Sequence, residues 1–230
     1  LLLALLTVSC AAVTGAGASE DRVLLGGFAI DRTEVTIGRF REYVRSRHLT
    51  TAAEREGGGF EFAGGWTRRR GWAWATPHGA TAADGAPAVH ISWNEAREFC
   101  AHHGGRLPTF DEWKSAAYTE GRVDPSDGYV TGRTYRYPVG DEADGMNTSN
   151  ADAWPNAATA GATRRGVNGL YDIGGNVWEW LADRRGEEAL TAGGSWWYGP
   201  EKTTPDAVQW KSADFYAVYV GFRCAYDLQN

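Results

Sequence analysis

From residue 120 onward this chain shows no helical periodicity; glycine, asparagine, aspartate and proline break its apolar residues into short runs. That punctuation reads as loops and short strands. So long an irregular region stays ordered only where a metal, a disulfide or dense aromatic packing fastens it. The chain has the rings to do so, with 11 tryptophans, 10 tyrosines and 8 phenylalanines, and it has three cysteines. Two segments near the C terminus, "TAGGSWWYG" and "AVYVGFRCAYD", are expected as strands, with "PEKTTPD" between them.

The helices are confined to the first half. In "TEVTIGRFREYVRS" the residues Ile37, Phe40 and Val44 recur at helical spacing, and Thr36 is placed to cap the first turn. In "SWNEAREFCAHHGG" Ser92 and Glu95 have the spacing of a reciprocal capping box, with Trp93, Ala96, Cys100 and His103 on one face. Thr109 and Glu112 repeat the device in "PTFDEWKSAAY", so two capped helices meet across the joint "GGRLP". Helices first and short strands afterwards predict an α+β domain with little regular structure.

At 230 residues the chain suits one core, and a single domain over residues 19–230 is expected. A net charge of −6, with no basic run beyond Arg68-Arg69-Arg70, argues against nucleic acid, which requires a concentrated positive face. Only three of the 23 basic residues are lysine. The opening "LLLALLTVSCAAVTGAGASE" is too short to span a bilayer and reads as the apolar core of an export signal, residues 1–18. Two processing routes remain open: cleavage after Ala16-Gly17-Ala18, or lipid attachment at Cys10 with membrane anchoring. Either gives a bacterial protein outside the cytoplasm, periplasmic or surface-anchored. Cys100 and Cys224 then remain in the folded domain, bridged or buried as separate thiols, with bridging favoured in an oxidising compartment.

Three clusters carry candidate chemistry. In "YDIGGNVWEW" Glu179 stands between Trp178 and Trp180, and a carboxylate among rings requires a cationic partner: a metal ion, or an arginine such as Arg223. In "GGWTRRRGWAW" Trp66, Trp72 and Trp74 flank three arginines, either as a recognition surface or as a small aromatic core under solvated charges. The five histidines, His48, His78, His90, His102 and His103, have no three-ligand spacing.

Four phrases in order, "PAVHISWNEAREFCAHHGGRLPTFDEW", "NGLYDIGGNVWEW", "GGSWWYG" and "GFRCAYD", resemble the formylglycine-generating enzyme, or sulfatase-modifying factor, family over residues 26–227. The resemblance implies a compact fold distantly related to C-type lectins. It also implies a Cys100–Cys224 disulfide and a structural calcium held by the side chains of Asp172 and Glu179 and the carbonyls of Gly175 and Val177, with a weaker second site near Asn147. The family's copper-dependent members carry two cysteines at the third and eighth positions beyond the serine of Gly-Gly-Ser. Here those positions are Tyr198 and Thr203, and neither can replace a Cu(I) thiolate, so no copper is expected. The ergothioneine-synthesis branch relies on histidines of a helical domain that has no counterpart in this sequence.

The leading expectation is an exported, atypical family member acting in an oxidative or other maturation step on a peptide-like substrate. A non-catalytic protein binding a peptide-like or small-molecule ligand, or a retroelement-diversified display protein varying over residues 193–223, are the alternatives. For any of these the expected ligand cleft is Ser195, Trp178, Trp197, Tyr198 and Thr203, with Trp197 on the same strand face as Ser195. No catalytic nucleophile or base is assigned, because no histidine is spaced to activate Ser195.

Overall fold

A computed structural model describes residues 21–149 and 153–228. The expected export signal and Cys10 lie outside them. Strands β1 (Arg22–Leu25) and β2 (Phe28–Asp31) precede helix α1 (Ile37–Arg47), the short α2 (Ala52–Arg55) and the hairpin β3 (Gly58–Phe62) and β4 (Trp66–Arg70). Helices α3 (Trp93–His102) and α4 (Phe110–Tyr118) follow, then β5 (Trp178–Arg185), β6 (Glu188–Ala192), β7 (Gln209–Ser212), β8 (Val220–Gly221) and β9 (Ala225–Asp227). The architecture is α+β with few helices, as the punctuation pattern requires.

The helix starts follow from their caps. Thr36 accepts a hydrogen bond from the Arg39 amide, and the Ser92/Glu95 and Thr109/Glu112 boxes are both closed. Each box satisfies two of the amides that a helix start leaves without partners. The joint between α3 and α4 turns at Gly104, whose φ is 75°, and Gly105 donates back to the Cys100 carbonyl at 2.8 Å.

The central sheet runs β7-β6-β5-β8, antiparallel except for the β5–β8 pair. Alternation along β5 divides the core in two. Trp178 and Trp180 enter the cluster built on Phe40, Phe99 and Phe222, while Leu181 joins Trp113, Ala116, Leu190 and Ala192 beneath α4. A second sheet, β1-β2-β9, closes the molecule against the C terminus.

"AVYVGFRCAYD" is two short strands, β8 and β9, with Arg223 and Cys224 between them. Cys224 is bonded to Cys100 on α3, Cα to Cα 5.5 Å across 124 residues of sequence. Arg68 and Arg69 of the hairpin are paired and solvated. Arg68 pairs with Glu56 at 2.5 Å and lies 4.8 Å over the Phe60 ring, and Arg69 pairs with Glu61. Trp72 and Trp74 fall beyond the strand; Trp74 is buried edge-on to Phe40, and Trp72 packs on His78. Trp66 alone of the three rings stands out into solvent. No helix among the described residues is long and apolar enough to cross a membrane.

Candidate functional site

The Gly-Gly turn before β5 lies over a buried charge cluster. Asn147 packs so closely under Gly175 that a Cβ there would stand 2.3 Å from the Asn147 carbonyl oxygen, and Gly175 has a φ of 82°. Only glycine fits. The Asp172 carboxylate accepts from Thr163 Oγ1 at 2.6 Å and from the Gly161 amide at 2.5 Å. Glu179 accepts from Arg223 Nη2 at 2.7 Å, from Arg223 Nε at 2.8 Å and from Trp113 Nε1 at 2.8 Å. Arg223 donates its remaining N–H groups to the carbonyls of Asp31, Arg32 and Tyr171. Burial pushes the carboxyls of Glu34 and Asp172 above their usual range, and the Glu179 charge holds Arg223 protonated against its own burial.

This arrangement bears on the calcium set Asp172, Gly175, Val177 and Glu179. Both oxygens of each carboxylate already accept hydrogen bonds from groups fixed by the fold, and Glu179 has a guanidinium counter-charge. A divalent ion at Glu179 would sit against Arg223. As placed, the two carboxylates of that set are engaged within the protein, and the Glu179–Arg223 pairing, left open by the sequence, is the one present. No group of three or more His, Cys, Asp or Glu side chains among the described residues could hold a metal ion.

The Gly-Gly-Ser segment is a turn, where a strand was expected. Strand β6 ends at Ala192, and Gly193 and Gly194 take φ of 96° and 73°, a left-handed conformation that folds the chain back. Gly175 donates to the Gly193 carbonyl at 2.7 Å, and Trp196 to the Asn176 carbonyl at 2.9 Å, so the two glycine turns brace one another. Ser195 is wholly buried, its Oγ facing the Trp197 amide at 3.4 Å. Thr203 is also buried, and its hydroxyl donates to the Pro200 carbonyl. Neither is among the residues that line three surface cavities of about 310, 370 and 440 Å³. The placement of Ser195 and Trp197 on one strand face fails for a physical reason: alternation holds only in extended chain, and this chain curls. With Tyr198 and Thr203 at the two cysteine positions and both described cysteines joined in the disulfide, no thiolate among the described residues meets copper's demand for soft sulfur.

The turn does present rings. Trp178 is buried edge-on to Tyr198, 5.8 Å between centroids. Trp197 is 45% exposed and contacts Tyr219 at 5.7 Å; Tyr219 continues to Trp66 at 6.2 Å, and Trp66 to Phe215 at 4.8 Å and Phe62 at 5.5 Å. Trp66 is 49% exposed and Phe62 42%. Three exposed rings thus form one shelf. At its edge a cavity of about 310 Å³ is lined by Trp66, Gln209, Trp210, Lys211, Ser212 and Phe215. Of the expected cleft residues Trp197 belongs to this shelf, while Trp178 and Tyr198 pack on one another with Trp178 buried. Sequence reasoning missed Lys211, for which the available signal was its rarity in an arginine-rich chain.

The family model for the sulfatase-modifying factor enzyme 1-like domain matches residues 8–228. The inactive C-alpha-formylglycine-generating enzyme 2 of Bos taurus is 35% identical over 188 residues, 68% of this chain and 60% of that protein. A formylglycine-generating enzyme of Streptomyces coelicolor is 33% identical over 196 residues, 70% of this chain and 59% of that protein. The chain therefore spans about 60% of the length of these curated relatives. PvdO from Pseudomonas aeruginosa shares the fold, with a TM-score of 0.65 at 20% identity over 87% of this chain and 80% of that one. On the match of nearly its whole length, this chain belongs to the formylglycine-generating enzyme, or sulfatase-modifying factor, family.

Proposed function

We infer that this protein is an exported, atypical member of its family that takes a peptide-like substrate on the aromatic shelf and serves an oxidative or other maturation step without a copper bis-thiolate centre. The observation that carries the reading is the shelf itself: Trp197, Trp66 and Phe62 stay exposed around the buried Tyr219. A contiguous exposed apolar patch of this kind marks a binding surface, and tryptophan is the ring most often found at the centre of one. A relative named hercynine oxygenase, from Mycolicibacterium thermoresistibile and 25% identical, supports the direction of the chemistry.

A second reading, ligand binding without catalysis, is favoured by one observation. Ser195, two residues before Trp197, is sealed in its own turn, and no histidine among the described residues bonds to it. The likeness to a relative named as inactive points the same way.

The test titrates the protein with short blocked peptides, following tryptophan fluorescence, and examines the recovered peptides by mass spectrometry after incubation in air. Trp197→Ala should weaken peptide binding about fivefold or more while leaving the melting temperature near its original value. A mass change in the peptide supports maturation; binding with unchanged mass supports the second reading. Absence of any Trp197-dependent binding would overturn both.

A further inference from the structure

The face of the central sheet that carries Trp178 and Trp180 also carries Lys211. Register shows it: Trp180 pairs with Thr191 and Thr191 with Gln209, so these side chains share a face, and Lys211 lies two residues beyond Gln209. The Lys211 ammonium donates to Thr191 Oγ1 at 2.9 Å and to Gln209 Oε1 at 2.6 Å, and it lies 4.7 Å over the Trp178 ring. All three partners are neutral. By contrast Lys114 has Asp206 at 3.5 Å. No carboxylate among the described residues comes within ion-pair distance of Lys211.

An ammonium has three N–H bonds, and two acceptors are provided. A largely desolvated cation without a counter-charge is costly, which is why buried charges are nearly always paired. Burial accordingly pushes the Lys211 amine down to about 7, and burial is its one cause. Arginine, the chain's usual cation, could not yield its proton here; lysine can stand neutral and recharge when an anion arrives. The walls of the cavity beside it, Trp66, Trp210 and Phe215, are aromatic, and none of its lining residues except Lys211 titrates below the range of tyrosine.

We propose that Lys211 is the anion-recognising group of this cleft and that its ligand is a carboxylate borne on an aromatic or apolar body, with the body lying against Trp66 and Phe215. One amine matches one carboxylate. A phosphate dianion would find no arginine in the lining and no helix N terminus. A free aromatic acid and the C terminus of a peptide both supply such a carboxylate, and the proposal deepens the shelf reading above by naming the group its ligand brings.

The experiment titrates the protein, at neutral pH and by tryptophan fluorescence, with 3-phenylpropionate and with its amide. A parallel pair is acetyl-Gly-Gly-Phe with a free and with an amidated C terminus. The acid of a pair is expected to bind about tenfold more tightly than its amide, and Lys211→Met should erase that preference. Tighter binding of the peptide acid than of 3-phenylpropionate identifies a peptide terminus, and the reverse a free acid. Because the chain has only three lysines, Lys114, Lys202 and Lys211, amine acetylation read by mass spectrometry on the wild-type protein gives a second measure that needs no variant. The acid, and not its amide, should slow acetylation of Lys211 and leave Lys202 unchanged. Equal affinity for acid and amide in both pairs, or Lys211 acetylation indifferent to the acid, would overturn the assignment. Loss of peptide binding in Trp197→Ala reads the shelf alone, so the two proposals fail separately.

Discussion

Arg223 and Lys211 are both cations withdrawn from water, and the central sheet separates them: Glu179 points from β5 to one face, Trp178 to the other. Arg223 is wholly buried, yet a carboxylate and three carbonyls use every N–H it has. Lys211 is only partly buried, yet meets two neutral acceptors and a ring. Burial alone therefore does not distinguish a structural charge from a recognising one. What distinguishes them is whether the fold itself provides the counter-charge. On the Arg223 side it does, and the result is a brace that holds β2, the Gly-Gly turn and β5 together; on the Lys211 side the valence is left to a visitor.

The largest effect that could break this comparison is expected at Arg223. Arg223→Leu leaves Glu179 charged and alone in the core, and chemical denaturation should show a loss of about 3–5 kcal/mol. Adding Glu179→Leu should recover part of it; a double variant no better than the single would mean that the carbonyl contacts, and not the ion pair, carry the brace. Trp178→Ala should cost a similar amount, about 3–5 kcal/mol, since it opens a cavity under Lys211. Trp197→Ala, half in solvent, should lie within about 1 kcal/mol of wild type. Equal losses at the two tryptophans would show that the shelf is core and not surface. Reduction of Cys100–Cys224 should remove about 2–5 kcal/mol, measurable as a lowered melting temperature in a reductant.

Lys211→Met is expected on the stabilising side at pH 6, because it replaces a desolvated ammonium with a thioether of similar length. The pH dependence has a definite sign. The folded amine titrates at about 7, the unfolded one at about 10.4, so between these values the unfolded chain binds the extra proton and rising pH favours the fold. The methionine variant's advantage should shrink from pH 7 toward pH 10; an advantage independent of pH would show that Lys211 is solvated like any surface lysine. Smallest of all, a calcium chelator should leave the melting temperature unchanged, because Asp172 and Glu179 are already engaged. A calcium-dependent rise would show that these carboxylates can exchange their partners for a metal.

The helix starts were legible because capping is local: Ser92 needs only Glu95, and Thr109 only Glu112. The family phrases located the disulfide and the Gly-Gly turns. The partner of Glu179 was narrowed to two and not decided, since Arg223 is 44 residues away in sequence and only packing brings it there. Ser195 was expected on a strand and lies in a turn, because the path of the chain there depends on the φ of Gly193 and Gly194, and a glycine is compatible with either hand of backbone. Lys211 was missed for a different reason. Its site exists only where β7, a residue of β4 and the turn at Phe215 converge, and no local pattern records that the neighbours would lack a carboxylate.

The covalent link between α3 and the residue before β9 has a topological consequence. It closes residues 100–224 into a ring that includes Trp178, Trp197, Tyr198, Lys211 and Phe215, while Trp66 belongs to the tail outside it. A protease that nicks one of the loops inside the ring cannot release a fragment, and the two ends migrate as a single species until a reductant is added. A cut between β4 and α3 frees the tail that carries Trp66 from every covalent tie. The carboxylate cleft is thus a seam between a tethered body and an untethered arm, and in a protease-rich environment it is the arm's wall, not the lysine, that can be shed.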